Sequence, residues 1–458
     1  MYNEMQNQLR SKTLFEKAKG YAFDYIDNLK NTPVYPSESD LQNLSIFDED
    51  VPQQSTSADE IIELLNNYGS KTTTIHTGGK FFGFVCGSIV PVALATKWMS
   101  DTWDQNSGLF VMSPIASKLE AVCEKWIVDL LGLPQDTAAG FVSGSSTAII
   151  CALATARNEL LLKKNWDVNK QGLFGAPEIK VVVSEQAHSS VFKALSLIGL
   201  GKDRVCLISA DKQGRMDVTK LPEMDSNTLI IAQAGNVNSG AFDDIEHICR
   251  LANKAGSWVH VDGAFGLWAA ACENTKYLTK GNELADSWSV DAHKTINAPY
   301  DCGIVLCKSR NALIHTMQAS GSYIQYSENR DGMLYTPEMS RRARSIELWA
   351  TLRYLGKSGI DEMVDTLCVN SRYFADKLAE NGFTILNDVV FNQILVKCDS
   401  SKMTTAVLNK IQKSGEMWCG GATWKGHPVI RLSVCSWHTT KADIDVCIKT
   451  FIKCRNEV

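Results

Sequence analysis

Short apolar runs alternate with helix-length amphipathic segments through the middle of the chain, and this alternation restricts the fold more than any other feature. Residues 258–261 and 287–290 are short β-rich runs bounded by glycine or polar residues, as is typical of buried strands. Residues 243–255 have the length of a crossover helix. Strands that alternate with helices form a mostly parallel sheet that is covered on both faces. The sequence therefore predicts an α/β fold.

Two of these runs end in residues with matching chemistry. Asp262 closes the first run, and Lys294 stands just past the second. An open α/β sheet binds its ligands outside the carboxyl ends of its strands. A lysine amine can form a Schiff base with an aldehyde cofactor, and a carboxylate can keep a pyridine nitrogen protonated, so that the ring accepts electrons. We expect these two residues to face the same ligand.

Three further polar groups follow predicted strands in the same way. They are the turn Ser145, Ser146 and Thr147, which opens a helix; His188; and the loop residues Asn236 and Asn238. Hydroxyls and free N–H groups at a helix start form a seat for a phosphate. One crevice could hold all of these groups. A ligand with a phosphate, an aromatic ring, a ring nitrogen and an aldehyde fits this set, and pyridoxal phosphate is such a ligand.

These motifs resemble the group II pyridoxal-phosphate decarboxylases, which have the aspartate-aminotransferase (type I) fold. The resemblance runs from about His76 to the end of the chain. It is carried by S-E-Q-A-H-S-S (184–190), Q-A-G-N-V-N-S-G-A-F-D (233–243), W-V-H-V-D-G-A-F-G (258–266), D-A-H-K (291–294), P-Y-D-C-G (299–303), S-R-R-A-R-S (340–345) and W-C-G-G-A-T-W (418–424). Thr295 and Gly263 depart from the family, where Trp and Ala are common.

The resemblance implies a role for each residue of the crevice. Lys294 would bind the cofactor covalently, Asp262 would pair with the pyridine nitrogen, and His188 would stack on the ring, opposite Ala264. The phosphate would be held by Ser145, Ser146, Thr147 and His293, while Asn236 and Asn238 would supply polar contacts on the cofactor side. The fold would be a seven-stranded, mostly parallel sheet with helices on both faces and a smaller C-terminal α+β domain. The molecule would be a homodimer with its active site at the interface.

Two aspects of the chemistry depend on less specific segments. In the family, a tyrosine on a mobile loop returns a proton to the substrate. Tyr335 is our candidate, because it precedes the S-R-R-A-R segment, and Tyr323 and Tyr326 are rivals. An apolar or aromatic substrate pocket is suggested by four aromatic residues and Met112, although the same side chains could be core. The aromatic residues are Phe81, Phe82, Trp103 and Phe110.

Length and composition set the remaining limits. A chain of 458 residues exceeds one compact core, and we predict an N-terminal helical segment (1–75), a large cofactor-binding α/β domain (76–340) and a small α+β domain (341–458). A net charge of −5 and the lack of a basic run give no reason to expect nucleic acid as a partner. The 14 scattered cysteines predict a cytoplasmic protein without a metal site. No signal peptide or membrane span is predicted. Ser57 and Glu60 predict a capping box at a helix start.

Decarboxylation of an L-amino acid to an amine is the predicted reaction, and other readings remain open. The same cofactor could support transamination, aldol cleavage or an aldehyde-forming oxidative decarboxylation. The chain could also be a catalytically idle homologue. A nucleotide-binding protein is a poorer reading, because the sequence has neither a G-x-G-x-x-G turn after a strand nor a P-loop.

Overall fold

The structure is a computed structural model, and it describes residues 2–319, 321 and 325–458. Twelve strands lie in the described part of the chain: β1 Phe81–Phe82, β2 Ala138–Val142, β3 Lys180–Ser184, β4 Val205–Ile208, β5 Thr228–Gln233, β6 Trp258–Asp262, β7 Ser287–Asp291, β8 Gly303–Cys307, β9 Thr384–Ile385, β10 Gln393–Lys397, β11 Trp418–Trp424 and β12 His427–Ser433.

Fourteen α-helices lie in the same described ranges. They are α1 Tyr2–Ser11, α2 Thr13–Asn28, α3 Glu38–Gln42, α4 Ala58–Leu64, α5 Pro91–Trp103, α6 Pro114–Leu130, α7 Ser145–Leu162, α8 Val168–Gln171, α9 Ser189–Leu197, α10 Ile245–Ala255, α11 Arg310–Met317, α12 Ser345–Glu380, α13 Ser401–Lys413 and α14 Lys441–Asn456. The predicted capping box is confirmed at the start of α4, where Ser57 and Glu60 exchange side-chain and backbone hydrogen bonds.

Seven strands form the larger sheet, in the order β2-β8-β7-β6-β5-β3-β4. Strand β8 runs antiparallel to both β2 and β7, and the other neighbouring strands pair in parallel. The predicted α/β fold with a mostly parallel sheet is therefore confirmed. The sequence analysis did not identify β4 or the antiparallel strand β8.

The carboxyl ends of six strands meet at one edge of this sheet. Because β8 is antiparallel to both of its neighbours, β2 points the same way as β7, and the ends of β2, β3, β4, β5, β6 and β7 share this edge. The predicted polar groups follow all of these strands except β4. The topology therefore brings the helix start after β2, His188, Asn236, Asp262 and Lys294 to one side of the molecule.

A second sheet of five strands, in the order β1-β11-β12-β10-β9, forms the smaller α/β unit with α13 and α14. Strand β1 falls within the predicted large-domain range 76–340, but it pairs in parallel with β11 of the smaller sheet. Helix α12 begins at Ser345, shortly after the predicted boundary between residues 340 and 341, and is interrupted at Gly356, where φ is 59°. The chain thus contributes β1 to the smaller sheet before it enters the larger sheet at β2.

Helices α1 and α2 bury none of their residues, although both carry large apolar side chains. Most of the core lies on the two faces of the seven-stranded sheet, where Trp268 and Trp288 are among the largest fully buried side chains. In the described residues, no helix is long and apolar enough to cross a membrane.

Candidate active site at the carboxyl edge of the large sheet

Lys294 lies three residues past the end of β7, and a buried carboxylate contacts its amine. Its Nζ atom is 2.8 Å from Oδ2 of Asp291, whose side chain is 1% exposed. Burial lowers the pKa of Lys294, but the negative charges of Asp291 and Asp262 outweigh that effect, and the pKa is raised. The lysine amine is therefore held as an ammonium ion in this arrangement. The hydroxyl of Thr295 donates to the carbonyl of Phe265 and ties the lysine segment to the loop after Asp262.

Asp262 is buried at the end of β6, next to the basic side chains of His188 and Lys294. Burial raises its pKa, while the charges of His188 and Lys294 act in the opposite direction. Oδ1 of Asp262 accepts hydrogen bonds from the N–H of Ala264 and the hydroxyl of Ser289, at 3.3 and 3.4 Å. These two contacts fix the orientation of the carboxylate.

His188 caps α9, which fixes the orientation of its ring. The N–H of Ser190 donates to Nδ1 of His188 at 3.3 Å, so a neutral imidazole carries its proton on Nε2. Burial lowers the pKa of His188, and the charge of Asp262 opposes this effect. A neutral, oriented imidazole next to Asp262 is suited to pack against the face of an aromatic ring.

The first turn of α7 presents backbone N–H groups at the position where the sequence predicts a phosphate seat. No side chain caps this helix, which begins after Gly144, and the first-turn N–H groups of an α-helix have no partner within the helix. A methyl group added at Gly144 would stand 3.5 Å from Cε1 of His293 and 3.8 Å from Oδ1 of Asp291. The hydroxyls of Ser143 and Thr147 are 3.1 Å apart. His293 is therefore brought to the predicted seat.

The ring of His293 is held from its face and from its edge. Tyr300 stacks on it with ring centroids 4.4 Å apart, and the N–H of Cys302 donates to Nδ1 at 3.0 Å. Burial lowers the pKa of His293. Nε2, which lies 3.6 Å from Oδ2 of Asp291, is the ring nitrogen left for a ligand.

The side chain of Asn236 contacts its own loop and the loop that carries His188. Its side chain is fully buried, and Oδ1 accepts hydrogen bonds from the N–H groups of Asn238 and Ser239. Its Nδ2 donates to the carbonyl of Gln186, just before His188. The amide of Asn236 is thus used to build its own loop and to hold the His188 loop.

The sequence analysis missed two charged groups near Lys294. Asp291 is one, although it is the last residue of an apolar strand and stands in the D-A-H-K motif. Arg431 is the other, and it was visible as the single charged residue in the predicted strand 429–434. Burial lowers the pKa of Arg431; its Nη1 donates to the carbonyl of Val237, and its Nε is buried without a partner. The positive charge of Arg431 contributes to the lowered pKa of His188.

Tyr335, our candidate proton donor, does not reach this edge in the structure. Its side chain is buried, and its hydroxyl accepts a hydrogen bond from Nη1 of Arg310 at 3.0 Å. Arg310 starts α11, just past Cys307, which pairs with Ser287 at the far end of β7 from Asp291. Four strand residues span about 13 Å. The apolar core and the arginines at the opposite edge hold this tyrosine, so the structure does not bring it to Lys294.

Of the two rival tyrosines, only Tyr326 lies in the described residues. The hydroxyl of Tyr326 donates to the carbonyl of Ala319 at 2.6 Å. Tyr323 lies outside the described residues. The proton donor therefore remains a prediction without a structural assignment.

The four aromatic residues predicted for the pocket occupy different environments. Phe82 is fully buried against Phe374 in the core of the smaller sheet, so it cannot form a pocket wall. Phe81 stacks on Trp418 with ring centroids 5.2 Å apart. Trp103 ends α5 with an exposed side chain, and the N–H of Phe110 donates to Asp331.

Phe84 adds a third ring to this stack. It packs on Trp418 with ring centroids 5.4 Å apart and is exposed. Three residues on, the backbone of Gly87 lies so close to Lys294 that an added Cβ would be 2.2 Å from the lysine carbonyl oxygen. The loop that carries Phe81 and Phe84 therefore passes beside the backbone of Lys294.

The residues at this edge fit the cofactor that the sequence suggested. An amine, a buried carboxylate, a neutral imidazole and a helix N-terminus match an aldehyde, a ring nitrogen, a ring face and a phosphate, respectively. Among the described residues, no group of three or more His, Cys, Asp or Glu side chains is placed to hold a metal ion.

Comparisons with known proteins show the family to which the chain belongs. The family described as "Pyridoxal-dependent decarboxylase conserved domain" matches residues 41–398. An aromatic-L-amino-acid decarboxylase of Bacillus atrophaeus is 28% identical over 356 residues, which cover 75% of this chain and 72% of the relative. An acidic amino acid decarboxylase of Homo sapiens is 26% identical over 330 residues, 69% of this chain and 62% of the relative. The structure of Oryza sativa TDC with PLP and tryptamine superposes with a TM-score of 0.89 at 20% identity, covering 98% of each chain.

Proposed function

The chain belongs to the pyridoxal-dependent decarboxylase family; it is a pyridoxal-phosphate-dependent amino-acid decarboxylase, and we propose that its substrate is an aromatic L-amino acid. The observation that carries the substrate class is the stack of Phe81, Trp418 and Phe84 beside the Lys294 segment. Aromatic rings prefer such offset stacks, which contribute about 0.5–1.5 kcal/mol per pair. The resemblance to the Bacillus atrophaeus enzyme supports the same class.

The site residues divide the work as follows. Lys294 binds the cofactor aldehyde, Asp262 holds the proton of the ring nitrogen, and His188 and Ala264 pack on the two ring faces. The first turn of α7 (Ser145, Ser146 and Thr147) and His293 bind the phosphate. Bound pyridoxal phosphate supplies an electron-accepting ring for the pair left by the departing carboxylate. Asn236 and Asn238 act indirectly, through the loop that they build.

Arg431 supports a second candidate substrate, an acidic amino acid. Its buried, unpartnered Nε needs an acceptor, because a buried donor without a partner costs about 1–3 kcal/mol. A side-chain carboxylate of the substrate would supply that acceptor, and the Homo sapiens relative is named for acidic amino acids.

Product analysis tests the function. The purified protein, loaded with pyridoxal phosphate, receives single aromatic, acidic, aliphatic and diamino acids, and products are identified by mass spectrometry. We expect an amine from an aromatic substrate and none from Lys294→Ala. An aldehyde or keto acid would keep the cofactor and overturn the decarboxylation.

Two variants separate the substrate candidates. Phe84→Ala removes one ring of the stack and should raise KM for an aromatic substrate about 2- to 10-fold. Arg431→Met should hardly change that KM, if no aromatic substrate uses the free Nε. Turnover of an acidic amino acid, lost in Arg431→Met and kept in Phe84→Ala, would establish the second candidate instead.

A homodimer is proposed on the apolar surface of the N-terminal helices and α5. Helices α1 and α2 expose apolar side chains and bury none, and a continuous apolar face of this kind marks an interface. The exposed side chains include Leu9, Phe15, Phe23, Trp98 and Trp103. Sedimentation should give twice the chain mass, and Leu9→Ser with Phe15→Ser should shift it toward one chain. A monomeric wild type would reject the proposal.

The proposed location is the cytoplasm, and the cysteines support it. All 14, each of which lies in the described residues, are free, and most are buried. Free thiols fit a reducing compartment. Thiol titration of unfolded protein from its native cells should give 14 thiols without reductant; a lower count would argue for an oxidising compartment.

A further inference from the structure

Asp291 lies between Lys294 and the N-terminus of α7, and the proposed reaction assigns no role to it. Its side chain is 1% exposed, with Oδ2 at 2.8 Å from Nζ of Lys294. The other oxygen, Oδ1, is buried and has no hydrogen-bond partner. Oδ1 points toward Gly144, at the start of α7. A buried carboxylate with one unsatisfied oxygen lowers the stability of the fold. This cost indicates that Asp291 has a function at this position.

Removal of the charge of Lys294 changes the surroundings of this carboxylate. The ion pair with Lys294 exists only while the amine is protonated, and a protonated amine has no lone pair to attack an aldehyde. Once the amine is bonded to the cofactor, the imidazole of His293, at 3.6 Å, remains beside the same oxygen. The protonation state of the Lys294 amine therefore depends directly on the charge of Asp291.

We propose that Asp291 is a positioning residue that keeps Lys294 in its protonated, unreactive form until the cofactor binds, and thereby sets the pH dependence of cofactor attachment. The inference rests on the proposed attachment role of Lys294. It does not depend on which amino acid is the substrate. The pH range of cofactor loading then becomes a property of this one ion pair.

The attachment step balances as follows. Nζ of Lys294 loses a proton to solvent and forms a bond to the aldehyde carbon, and the aldehyde oxygen leaves as water with the two remaining amine protons. The first loss is the step that the Asp291 carboxylate opposes. Several other groups act on the lysine or on its neighbours and stay unchanged in the test, namely Asp262 on β6, His188 at the start of α9, His293 and Asp301 after β7, Arg431 on β12, Cys435 after β12, and Cys86 before Gly87.

The experiment follows cofactor attachment in the absence of substrate. Cofactor-free protein is mixed with pyridoxal phosphate at a series of pH values, and the absorbance change gives the attachment rate. Asp291→Asn keeps the shape of the side chain and removes its charge. An opposite charge within about 4–6 Å shifts a pKa by 1–3 units, so the midpoint of the rate profile should fall by at least about one pH unit, and attachment near neutral pH should become about tenfold faster.

The matched control is Asp286→Asn. Asp286 directly precedes β7, at the opposite end from Asp291, and its carboxylate accepts the N–H of Val259. This variant should keep the wild-type midpoint. A midpoint that does not move in Asp291→Asn overturns the inference. Failure of the wild type itself to attach pyridoxal phosphate would overturn the role of Lys294 and the inference with it.

A second measurement needs no variant. Brief labelling of the cofactor-free wild type with acetic anhydride at a series of pH values, read by mass spectrometry, reports the fraction of neutral amine at Lys294. Asp291 should keep Lys294 unlabelled at pH values where exposed lysines such as Lys402 begin to react. Labelling of Lys294 at a lower pH than these lysines would contradict the proposal, even if Asp291→Asn fails to fold.

Discussion

His293 and Tyr300 stack with their ring planes 29° apart and their centroids 4.4 Å apart. The tyrosine thus covers one face of the imidazole, and the Cys302 N–H fixes its edge through Nδ1. This leaves Nε2 as the free nitrogen at the N-terminus of α7. The stack fixes the orientation of the proposed phosphate ligand before the phosphate arrives.

Loss of this stack should weaken cofactor binding. Tyr300→Ala removes an aromatic pair worth about 0.5–1.5 kcal/mol, so the dissociation constant for pyridoxal phosphate should rise about 2- to 10-fold in an absorbance titration. Tyr300→Phe keeps the ring and should bind as the wild type does. Equal weakening in both variants would place the effect on the hydroxyl and not on the stack.

Asp262→Asn should abolish turnover while cofactor still attaches. The amide keeps the size of the buried side chain, but it cannot hold a proton on the ring nitrogen. Removal of one such electrostatic group costs about a hundredfold or more in rate. Ser289→Ala removes the 3.4 Å contact to Oδ1 and a 3.5 Å contact to Nε2 of His260, leaves the carboxylate in place and should retain most of the activity. Steady-state rates and the absorbance of bound cofactor measure the two effects separately, and near-normal turnover in Asp262→Asn would remove this residue from the mechanism.

Tyr335→Phe should affect stability and leave the chemistry intact. The substitution deletes the hydrogen bond from Arg310 but keeps the ring under Arg330, whose guanidinium carbon lies 4.0 Å from the ring centroid. We expect a loss of about 1 kcal/mol in the free energy of unfolding, measured by urea denaturation, with unchanged kcat. A large drop in kcat at unchanged stability would restore Tyr335 as the proton donor.

His260 should make the protein less stable in acid. Burial lowers its pKa from 6.5 to about 3, so the unfolded chain binds a proton below pH 6.5 that the folded protein does not bind. As the pH is lowered from 6.5 to about 3, the free energy of unfolding should therefore decrease by about 1.4 kcal/mol per pH unit. Urea denaturation of His260→Gln should show a flatter pH dependence in this range. The exposed His247→Gln should keep the wild-type slope, and an unchanged slope in both variants would contradict the assignment.

Much of the fold and part of the site followed from local patterns. The alternation of strands and helices predicted the parallel sheet, and the topology rule for α/β sheets placed His188, Asp262 and Lys294 at one edge. The capping box at Ser57 was predictable because it involves only four consecutive residues. Such features depend on spacing along the chain, which the sequence contains in full.

Contacts between distant segments were decided by the tertiary structure alone. The loop tyrosine Tyr335 lies in the core because Arg310 donates a hydrogen bond to its hydroxyl and Arg330 packs on its ring. No spacing in the chain indicates these contacts. Phe82 became core for the same reason, since its partner Phe374 is almost 300 residues away. The sequence by itself determined the type of sheet and the chemistry at its edge. Only tertiary packing decided which polar side chains reach the lysine, because burial and charge pairing depend on neighbours that are remote in the chain.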